Sequence, residues 1–408
     1  MAPRALIVWY AFPDIRNSQS NRDLIVGGMP GMKLAKYLPK FGYEPIVLSS
    51  SRFGSDDTVV HRALDAPSDR ELKRIIDWVL PEEQLVSWAP HAVRRGYEIA
   101  QKLGVEVLLS SSPHVTSHIV AYFIHRAWPG IPWVADFRDG WMFEPPGRIR
   151  GLAAFSAFME RLVLRSADWV TCASDPITQD ILHRHPVLAG RANTITNGFD
   201  PSDFEAIPTS SSGVVTGDDA FTLVHTGSFS RSSSRRRMEP LLDGFLQAAR
   251  MLGSNRLRLL LVGELTQSEK DVANSIHPEA HVVCAGLVAP AKARAFQRQA
   301  DLLIVVGGPS RSVITSKLFE YIAVGTPILF VGERCAGAQI VRSYDLGEVV
   351  AEDASKIRDA IERAYRTARQ RRTDARNPLL SRAKHDFSYE TIARKYAAVF
   401  DRLRQGNL

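Results

Sequence analysis

The sequence predicts an α/β fold with two Rossmann-like domains facing each other across a cleft. Three observations predict it: 408 residues exceed the usual size of one hydrophobic core, strand-like and helix-like patterns alternate in two blocks, and periodicity is lost between those blocks. Continuous apolar strands separated by helical stretches are typical of parallel sheets with helices on both faces. The expected domains cover residues 1–200 and 221–385, and residues 201–220, rich in Pro, Ser, Gly and Asp, form a linker.

The strand and helix patterns follow the chain in regular alternation. In the first block we expect strands at residues 5–10, 45–49, 106–110, 132–135, 169–173 and 193–196, and helices such as 31–41, 90–103, 115–127 and 149–166. In the second block we expect strands at residues 221–225, 257–262, 281–285, 301–306 and 327–331, again separated by helices, and a final helix over about 388–404.

Composition narrows the class of protein and its partners. A hydrophobic content of 45% and a charged content of 23% are ordinary for a globular enzyme. No apolar run reaches the length of a membrane span, and residues 5–10 are too short for a signal-peptide core, so a cytoplasmic location is expected. A net charge of +7 and a pI near 9.4 suit an anionic partner such as a nucleotide diphosphate. The sequence has no nucleic-acid module, whereas peripheral contact with the inner membrane face stays open.

Cysteine and histidine spacing argues against a metal site. Cys172, Cys284 and Cys335 are isolated, and the first two lie in apolar strand-like runs, where we expect them in the core. His114 and His118 are four residues apart on an expected helix, but no third ligand lies nearby, so a structural role is favoured.

The segment Thr315–Leu329 carries the strongest functional signal. It reads as a helix that begins near Ser316 and stops at Gly325, followed by a buried strand. A helix N-terminus has partial positive charge and unpaired N–H groups, which suits a phosphate. Lys317 can neutralise a diphosphate, and Glu320 can accept hydrogen bonds from ribose hydroxyls. The plain alternative is an exposed Lys–Glu pair that stabilises the helix by about 0.2–0.5 kcal/mol.

Two glycine-containing loops of the expected sheets suit anions. Gly27 and Gly28 are expected between the first strand and its helix, where their N–H groups can approach an anion or a sugar closely; an ordinary turn is the alternative. They do not form the G-x-G-x-x-G pattern directly after a strand that dinucleotide binding needs. In the second block, Gly227 precedes the run 231–237, which contains hydroxyls and arginines and suits a pyrophosphate; spacing to the next helix favours Arg236 or Arg237.

Charged residues also end a strand of the first block. Asp136, Arg138 and Asp139 follow an apolar run there, and buried charges are costly unless they are paired or functional. An Asp–Arg pair that staples the loop is a structural alternative. Asp136 is the better candidate for that structural role.

These segments, in this order, resemble retaining glycosyltransferases of the GT-B fold, the glycosyltransferase family 4-like (group 1) superfamily. Residues 316–327 resemble its donor-binding segment, and the resemblance spans about residues 5–330. It implies transfer of a sugar from a nucleotide diphosphate donor to an acceptor hydroxyl, on a lipid-linked glycan or a small molecule, with no cofactor besides the donor. It also implies that a C-terminal segment, about 386–408, packs on the first domain. The implied catalytic residues are Arg138, Asp139 and Lys317, and the implied donor-binding residues are Gly27, Gly28, Gly227, Arg236, Arg237, Glu264, Ser316, Lys317, Leu318 and Glu320.

The chain departs from this family at one position. Many members carry two glutamates eight residues apart; Glu320 matches the second, but Ser312 stands at the first. Backbone groups of Gly307 and Gly308, with Ser310, are candidates to replace it. The absence of an Asp-x-Asp motif implies a metal-independent reaction. A nucleotide-sugar epimerase and a non-catalytic partner subunit on the same fold remain alternatives.

Overall fold

The computed structural model describes residues 2–13, 22–66, 80, 82–143, 150–205, 220–230, 237–276, 280–370 and 378–406. The chain divides into two compact units. The first contains Met1–Asn197 together with Tyr389–Leu408, and the second contains Gly198–Ser388.

The first unit contains a sheet of seven parallel strands in the order β3-β2-β1-β4-β5-β6-β7. The strands are β1 (Arg4–Val8), β2 (Glu44–Ser50), β3 (Val60–Ala63), β4 (Val105–Ser111), β5 (Trp133–Phe137), β6 (Trp169–Cys172) and β7 (Ala192–Thr194). The helices are α1 (Arg22–Tyr37), α2 (Gln84–Ser87), α3 (Ala89–Leu103), α4 (Thr116–Ala127), α5 (Arg150–Ser166) and α6 (Asp175–Arg184), with short 3-10 turns at Leu38–Phe41, Ser51–Phe53 and Pro186–Leu188.

Helix α1 corrects the expected position of Gly27 and Gly28. The helix begins at Arg22 and passes through Pro30, so both glycines lie inside it rather than in the turn before it. Proline is most common in the first turn of a helix, but here the helix continues on both sides of Pro30.

The last helix of the chain, α15 (Tyr389–Arg404), belongs to the first unit. Its apolar face packs with β1 and α1 in one hydrophobic cluster, in which Ile7, Leu34, Ile392 and Phe400 are all buried. The Tyr43 hydroxyl also donates to Asp401 at 2.6 Å. Residues far apart in sequence therefore complete one core.

The second unit contains a sheet of six parallel strands in the order β10-β9-β8-β11-β12-β13. The strands are β8 (Phe221–Thr226), β9 (Leu257–Val262), β10 (His281–Gly286), β11 (Leu302–Val306), β12 (Ile328–Val331) and β13 (Gly347–Val350). The helices are α7 (Ser202–Glu205), α8 (Glu239–Leu252), α9 (Gln267–Ile276), α10 (Pro290–Gln299), α11 (Ser316–Val324), α12 (Ala336–Ser343), α13 (Ala354–Gln370) and α14 (Pro378–Asp386). Of the expected linker, residues 202–205 thus form α7, and residues 206–219 lie outside the described residues.

Both sheets have the Rossmann-like order, so the predicted α/β fold with two such domains is confirmed. Strands β3 and β13 were not predicted. Cys284 was expected in the core, but it is exposed, because edge strand β10 turns that side chain outward. Within the described ranges, no helix has the length and apolarity to cross a bilayer.

In each unit the strand order reverses once, between β1 and β4 and between β8 and β11. Ligands of open parallel sheets bind beyond the carboxyl ends of the strands at such a point.

Candidate functional site

Lys317 lies at the switch point of the second unit. Strands β8 and β11 are neighbours there; Gly227 follows β8, and α11, which carries Lys317, follows β11. The lysine side chain crosses directly over Gly227: a Cβ atom at that glycine would lie 1.8 Å from Lys317 Cε and 2.2 Å from Nζ. Gly227 has a φ of +110°, a conformation that other residues rarely adopt. The glycine therefore allows both the turn and the position of the lysine.

Two more glycines continue this edge of the sheet. The N–H of Gly227 donates to the Val262 carbonyl at 2.6 Å, and the N–H of Gly263 donates to the Gly286 carbonyl at 2.9 Å. A Cβ atom at Gly263 would lie 2.3 Å from the Gly227 carbonyl oxygen. The backbone segments after β8 and β9 thus pack too closely for side chains. Glu264, next in the chain, is exposed at this edge.

The N-terminus of α11 is accessible at the same place. Its N-cap residue, Thr315, is extended and makes no side-chain capping hydrogen bond, and Ser316 is exposed. Leu318 differs from Ser316 and Lys317, because its side chain is fully buried in the core; its N–H donates to the Thr315 carbonyl at 3.1 Å. The helix ends as predicted at Gly325, whose φ is +90°.

Glu320, on the same helix, is positioned by a hydrogen bond from another helix. Gln297 Nε2 donates to Glu320 Oε2 at 2.9 Å, and the glutamate side chain is half-buried. Burial raises the pKa of Glu320, while the Gln297 hydrogen bond and the charges of Lys317 and Arg294 act in the opposite direction. The hydrogen bond from Gln297 thereby positions one carboxylate oxygen, Oε2.

The loop after β8 is anchored by a glutamate of α9. Glu269 accepts hydrogen bonds from the Ser230 N–H at 3.0 Å, the Ser230 hydroxyl at 2.7 Å and the Thr266 N–H at 2.8 Å. Although burial opposes it, these bonds lower the pKa of Glu269, so the carboxylate stays charged. Arg237 is exposed at the far end of the loop, and Arg236 lies outside the described residues.

Ser312, at the position where this chain differs from the family, pairs with a neighbouring serine. The hydroxyls of Ser310 and Ser312 are 3.1 Å apart, in the loop that joins β11 to α11. A short polar pair therefore stands where many members of the family have a carboxylate.

In the first unit, Arg138 is part of a buried polar network after β5. Its guanidinium donates to Asp136 at 3.4 Å, to the Ile195 carbonyl at 3.0 Å and to the Tyr396 hydroxyl at 3.2 Å, and it also bonds the Asn197 side chain. This is the Asp–Arg pair of the structural alternative, and it joins the end of β5 to the segment after β7 and to α15.

Asp136 is the centre of that network. It is 1% exposed and accepts from Ser111 at 2.7 Å, Thr171 at 2.8 Å and the Tyr396 hydroxyl at 2.8 Å. These donors satisfy the hydrogen-bonding capacity of a carboxylate that would otherwise be costly to bury. Asp139, by contrast, is exposed, although the burial that remains raises the pKa of its carboxyl group and the charge of Arg138 acts in the opposite direction.

The two histidines have structural contacts. His118 is fully buried, stacks on Phe137 at 4.7 Å and lies 2.8 Å from the Ser110 hydroxyl through Nδ1. Burial lowers the pKa of His118 to about 4. His114 Nδ1 lies 3.7 Å from Glu82. Among the residues that the structure describes, no group of three or more His, Cys, Asp or Glu side chains could hold a metal ion.

The structure thus brings Gly227, Glu264, Ser316, Lys317 and Glu320 to one edge of the second sheet, while Gly27, Gly28, Arg138 and Asp139 lie in the first unit. The sequence reasoning missed Gln297, because it belongs to no motif and its contact with Glu320 depends on the packing of α10 against α11.

Two parallel sheets of this order, with a polar helix N-terminus at the switch point, define the GT-B class of glycosyltransferase folds. Residues 32–203 match the model of Glycosyltransferase Family 4, which confirms the resemblance to glycosyltransferases over this part of the chain. Among curated proteins, none matches this sequence significantly.

Solved structures share the fold over nearly the whole chain. A glycosyltransferase from Rickettsia africae is 14% identical with a TM-score of 0.63, covering 100% of this chain and 99% of its own. HepE from Anabaena, in complex with UDP and glucose, is 16% identical with a TM-score of 0.60, covering 98% and 100%. WaaG, a glycosyltransferase involved in lipopolysaccharide biosynthesis, is 14% identical with a TM-score of 0.62, covering 97% and 99%. At these identities the likeness shows the fold alone.

Proposed function

We propose that this protein is a retaining glycosyltransferase that moves a sugar from a nucleotide diphosphate donor to an acceptor hydroxyl without a metal ion. The observation that carries the proposal is the position of Lys317, at the N-terminus of α11 and against Gly227 at the switch point. The match of residues 32–203 to a glycosyltransferase family and a fold shared with a UDP-binding protein support it.

The second unit would bind the donor. Lys317 and the N-terminus of α11 would contact the diphosphate, with the exposed Ser316 beside it and Arg236 or Arg237 as a second cation. Negative charge grows on the diphosphate as the sugar departs. A cation and a helix dipole placed there bind the transition state more tightly than the ground state.

The remaining donor contacts follow from the same edge of the sheet. Glu320 Oε1 would accept a hydrogen bond from a ribose hydroxyl, and Glu264 is exposed beside the glycine turn. Leu318 would contribute through the shape of the helix rather than its buried side chain. Backbone groups of Gly307 and Gly308, with Ser310, would meet the sugar in place of the missing family glutamate.

The first unit would present the acceptor, as the family resemblance implies. Asp139 is exposed and is the candidate for contact, together with Gly27 and Gly28 of α1. The contacts of Arg138 support a positioning role, in which it holds the loop that carries Asp139. Retention would proceed by attack on the same face, with the donor phosphate taking the acceptor proton. A lipid-linked glycan would suit the basic surface of a cytoplasmic protein in peripheral contact with a membrane.

A thermal-shift screen against UDP, GDP, dTDP, CMP and NAD tests the donor site. A ligand at a hundredfold its Kd adds about 2.7 kcal/mol to stability. We expect one nucleoside diphosphate to stabilise the protein, and we expect the Lys317→Ala variant to lose that shift. Lys356→Ala, on the exposed face of α13, is the matched control and should keep it. No shift with any nucleotide, or a shift with NAD alone, would contradict the proposal.

Turnover assays then separate the alternatives. A transferase releases nucleoside diphosphate from a nucleotide sugar faster when an acceptor is present, and this one should do so in EDTA. An epimerase converts the donor with no acceptor, and a non-catalytic partner binds the nucleotide without turnover.

A further inference from the structure

Gln297 is a buried amide directly behind the proposed donor site. It lies on α10, its side chain is fully buried, and its Nε2 donates to Glu320 Oε2 at 2.9 Å and to the Thr226 hydroxyl at 3.1 Å. Both N–H groups of the amide are therefore used, one on the carboxylate and one at the end of β8.

The hydrogen bonds continue through the core to β11. The Tyr321 hydroxyl accepts from the Thr226 N–H at 2.9 Å and lies 3.1 Å from the Thr226 hydroxyl, and it donates to the Ile304 carbonyl at 3.4 Å. Tyr321 is fully buried and follows Glu320 in α11. The middle of α11 is thus tied to the last residue of β8, next to the glycine that Lys317 crosses.

The orientation of the Gln297 amide is determined by its neighbours. If the amide were reversed, its carbonyl oxygen would face the Glu320 carboxylate, which offers no proton when it is charged. In the observed orientation Gln297 Oε1 is buried without a hydrogen-bond partner. Such an unsatisfied oxygen is destabilising, so the position of the two N–H groups outweighs that cost.

We infer that Gln297 is a positioning residue: by holding Glu320 Oε2 it keeps Glu320 Oε1 directed to a ribose hydroxyl of the donor, and so sets the preference for ribonucleotides over deoxyribonucleotides. This inference rests on the proposed donor site. In this view the Glu320 carboxylate contacts the ribose, and its selectivity depends on the Gln297 amide, which belongs to no sequence motif.

The test compares nucleotides that differ only in the ribose hydroxyls. The Kd values of UDP (or GDP, if that is the nucleotide that stabilises the wild type) and of its 2′-deoxy and 3′-deoxy forms are measured by titration calorimetry. Gln297→Met keeps the length of the side chain and removes both donors. Gln299→Met, exposed on the same helix, is the matched control.

In the wild type and the control, we expect the ribonucleotide to bind about tenfold more tightly than at least one deoxy form, a difference of about 1.4 kcal/mol. In Gln297→Met this ratio should fall towards one because the ribonucleotide weakens while the deoxy form does not. Glu320→Gln should show the same loss, and the double variant should show no further loss. Gln297→Asn, which withdraws the amide by one methylene, provides a second variant if the methionine variant does not fold.

An unchanged ratio in Gln297→Met, or equal weakening of all three nucleotides, would overturn the inference. A wild type that prefers a deoxyribonucleotide would also overturn it. Failure of the proposed function is a different result, in which the wild type binds no nucleoside diphosphate or Lys317→Ala binds it normally.

Discussion

Replacement of Gly227 by alanine should weaken nucleotide binding by displacing the side chain of Lys317. A Cβ atom at this position would lie 1.8 Å from Lys317 Cε, and the end of a lysine side chain can move away from such an overlap. The ammonium group would then leave the switch point. A hydrogen bond to a charged group contributes about 1.5–3 kcal/mol, so the Kd of the nucleoside diphosphate should rise by about ten- to a hundredfold.

Backbone strain has to be separated from this effect. Alanine at a φ of +110° costs about 1–3 kcal/mol of folding stability, because this region is sparsely populated by residues with a Cβ. Gly253 has nearly the same φ, +106°, at the end of α8, and a Cβ there would meet no atom closer than 3.3 Å. Gly253→Ala therefore reproduces the strain without displacing Lys317.

Calorimetric titration of the two glycine-to-alanine variants with the nucleoside diphosphate separates displacement of Lys317 from backbone strain. We expect Gly227→Ala to bind the nucleoside diphosphate as weakly as Lys317→Ala, Gly253→Ala to bind it like the wild type, and Gly227→Ala combined with Lys317→Ala to be no weaker than Lys317→Ala alone. Equal affinities for the two glycine variants would refute the reasoning, as would full additivity in the double variant.

Two further predictions concern the first unit, which contains all seven tryptophans and so reports its own unfolding in urea by fluorescence. Because His118 has a pKa of about 4 when folded, the unfolded chain binds an extra proton between pH 6.5 and 4. The free energy of unfolding should therefore fall as the pH falls through this range, by up to about 3 kcal/mol. The His118→Gln variant should lose less of its free energy of unfolding over the same range. An identical pH dependence in both proteins would contradict this. Tyr396→Phe removes a buried partner of Asp136 and Arg138 and should cost about 1–3 kcal/mol, whereas Tyr43→Phe, whose partner Asp401 is exposed, should cost less. Equal costs would contradict the role of the network.

The central strands were predictable because a parallel sheet buries both faces of its inner strands. The segment Leu257–Val262 is apolar almost throughout, and it forms β9 as expected. The edge strands β3 and β13 were missed because each has four residues and only a few buried positions, so their apolar signal is weak. The start of α1 was placed too late: a helix was expected from residue 31, but it begins at Arg22 and continues through Pro30.

The sequence predicted those residues of the candidate site that follow one another in a single segment of the chain. The helix start at Ser316, the cation at Lys317 and the stop at Gly325 follow one another in the chain, and their local rules agree. Gln297 is 23 positions before Glu320, and its role depends on the packing of one helix against another. The side-chain direction of Arg138 likewise depends on Tyr396, which no local pattern connects with it.

The return of α15 to the first unit has a consequence for biosynthesis. During translation, every residue of the second unit leaves the ribosome before Tyr389 does, so that unit can finish folding while the first still lacks one side of its core. Until then Ile7 and Leu34, buried in the finished protein, lack the helix that packs with them. A chain released after residue 388 should therefore have a protease-resistant second unit and a first unit that still needs a chaperone.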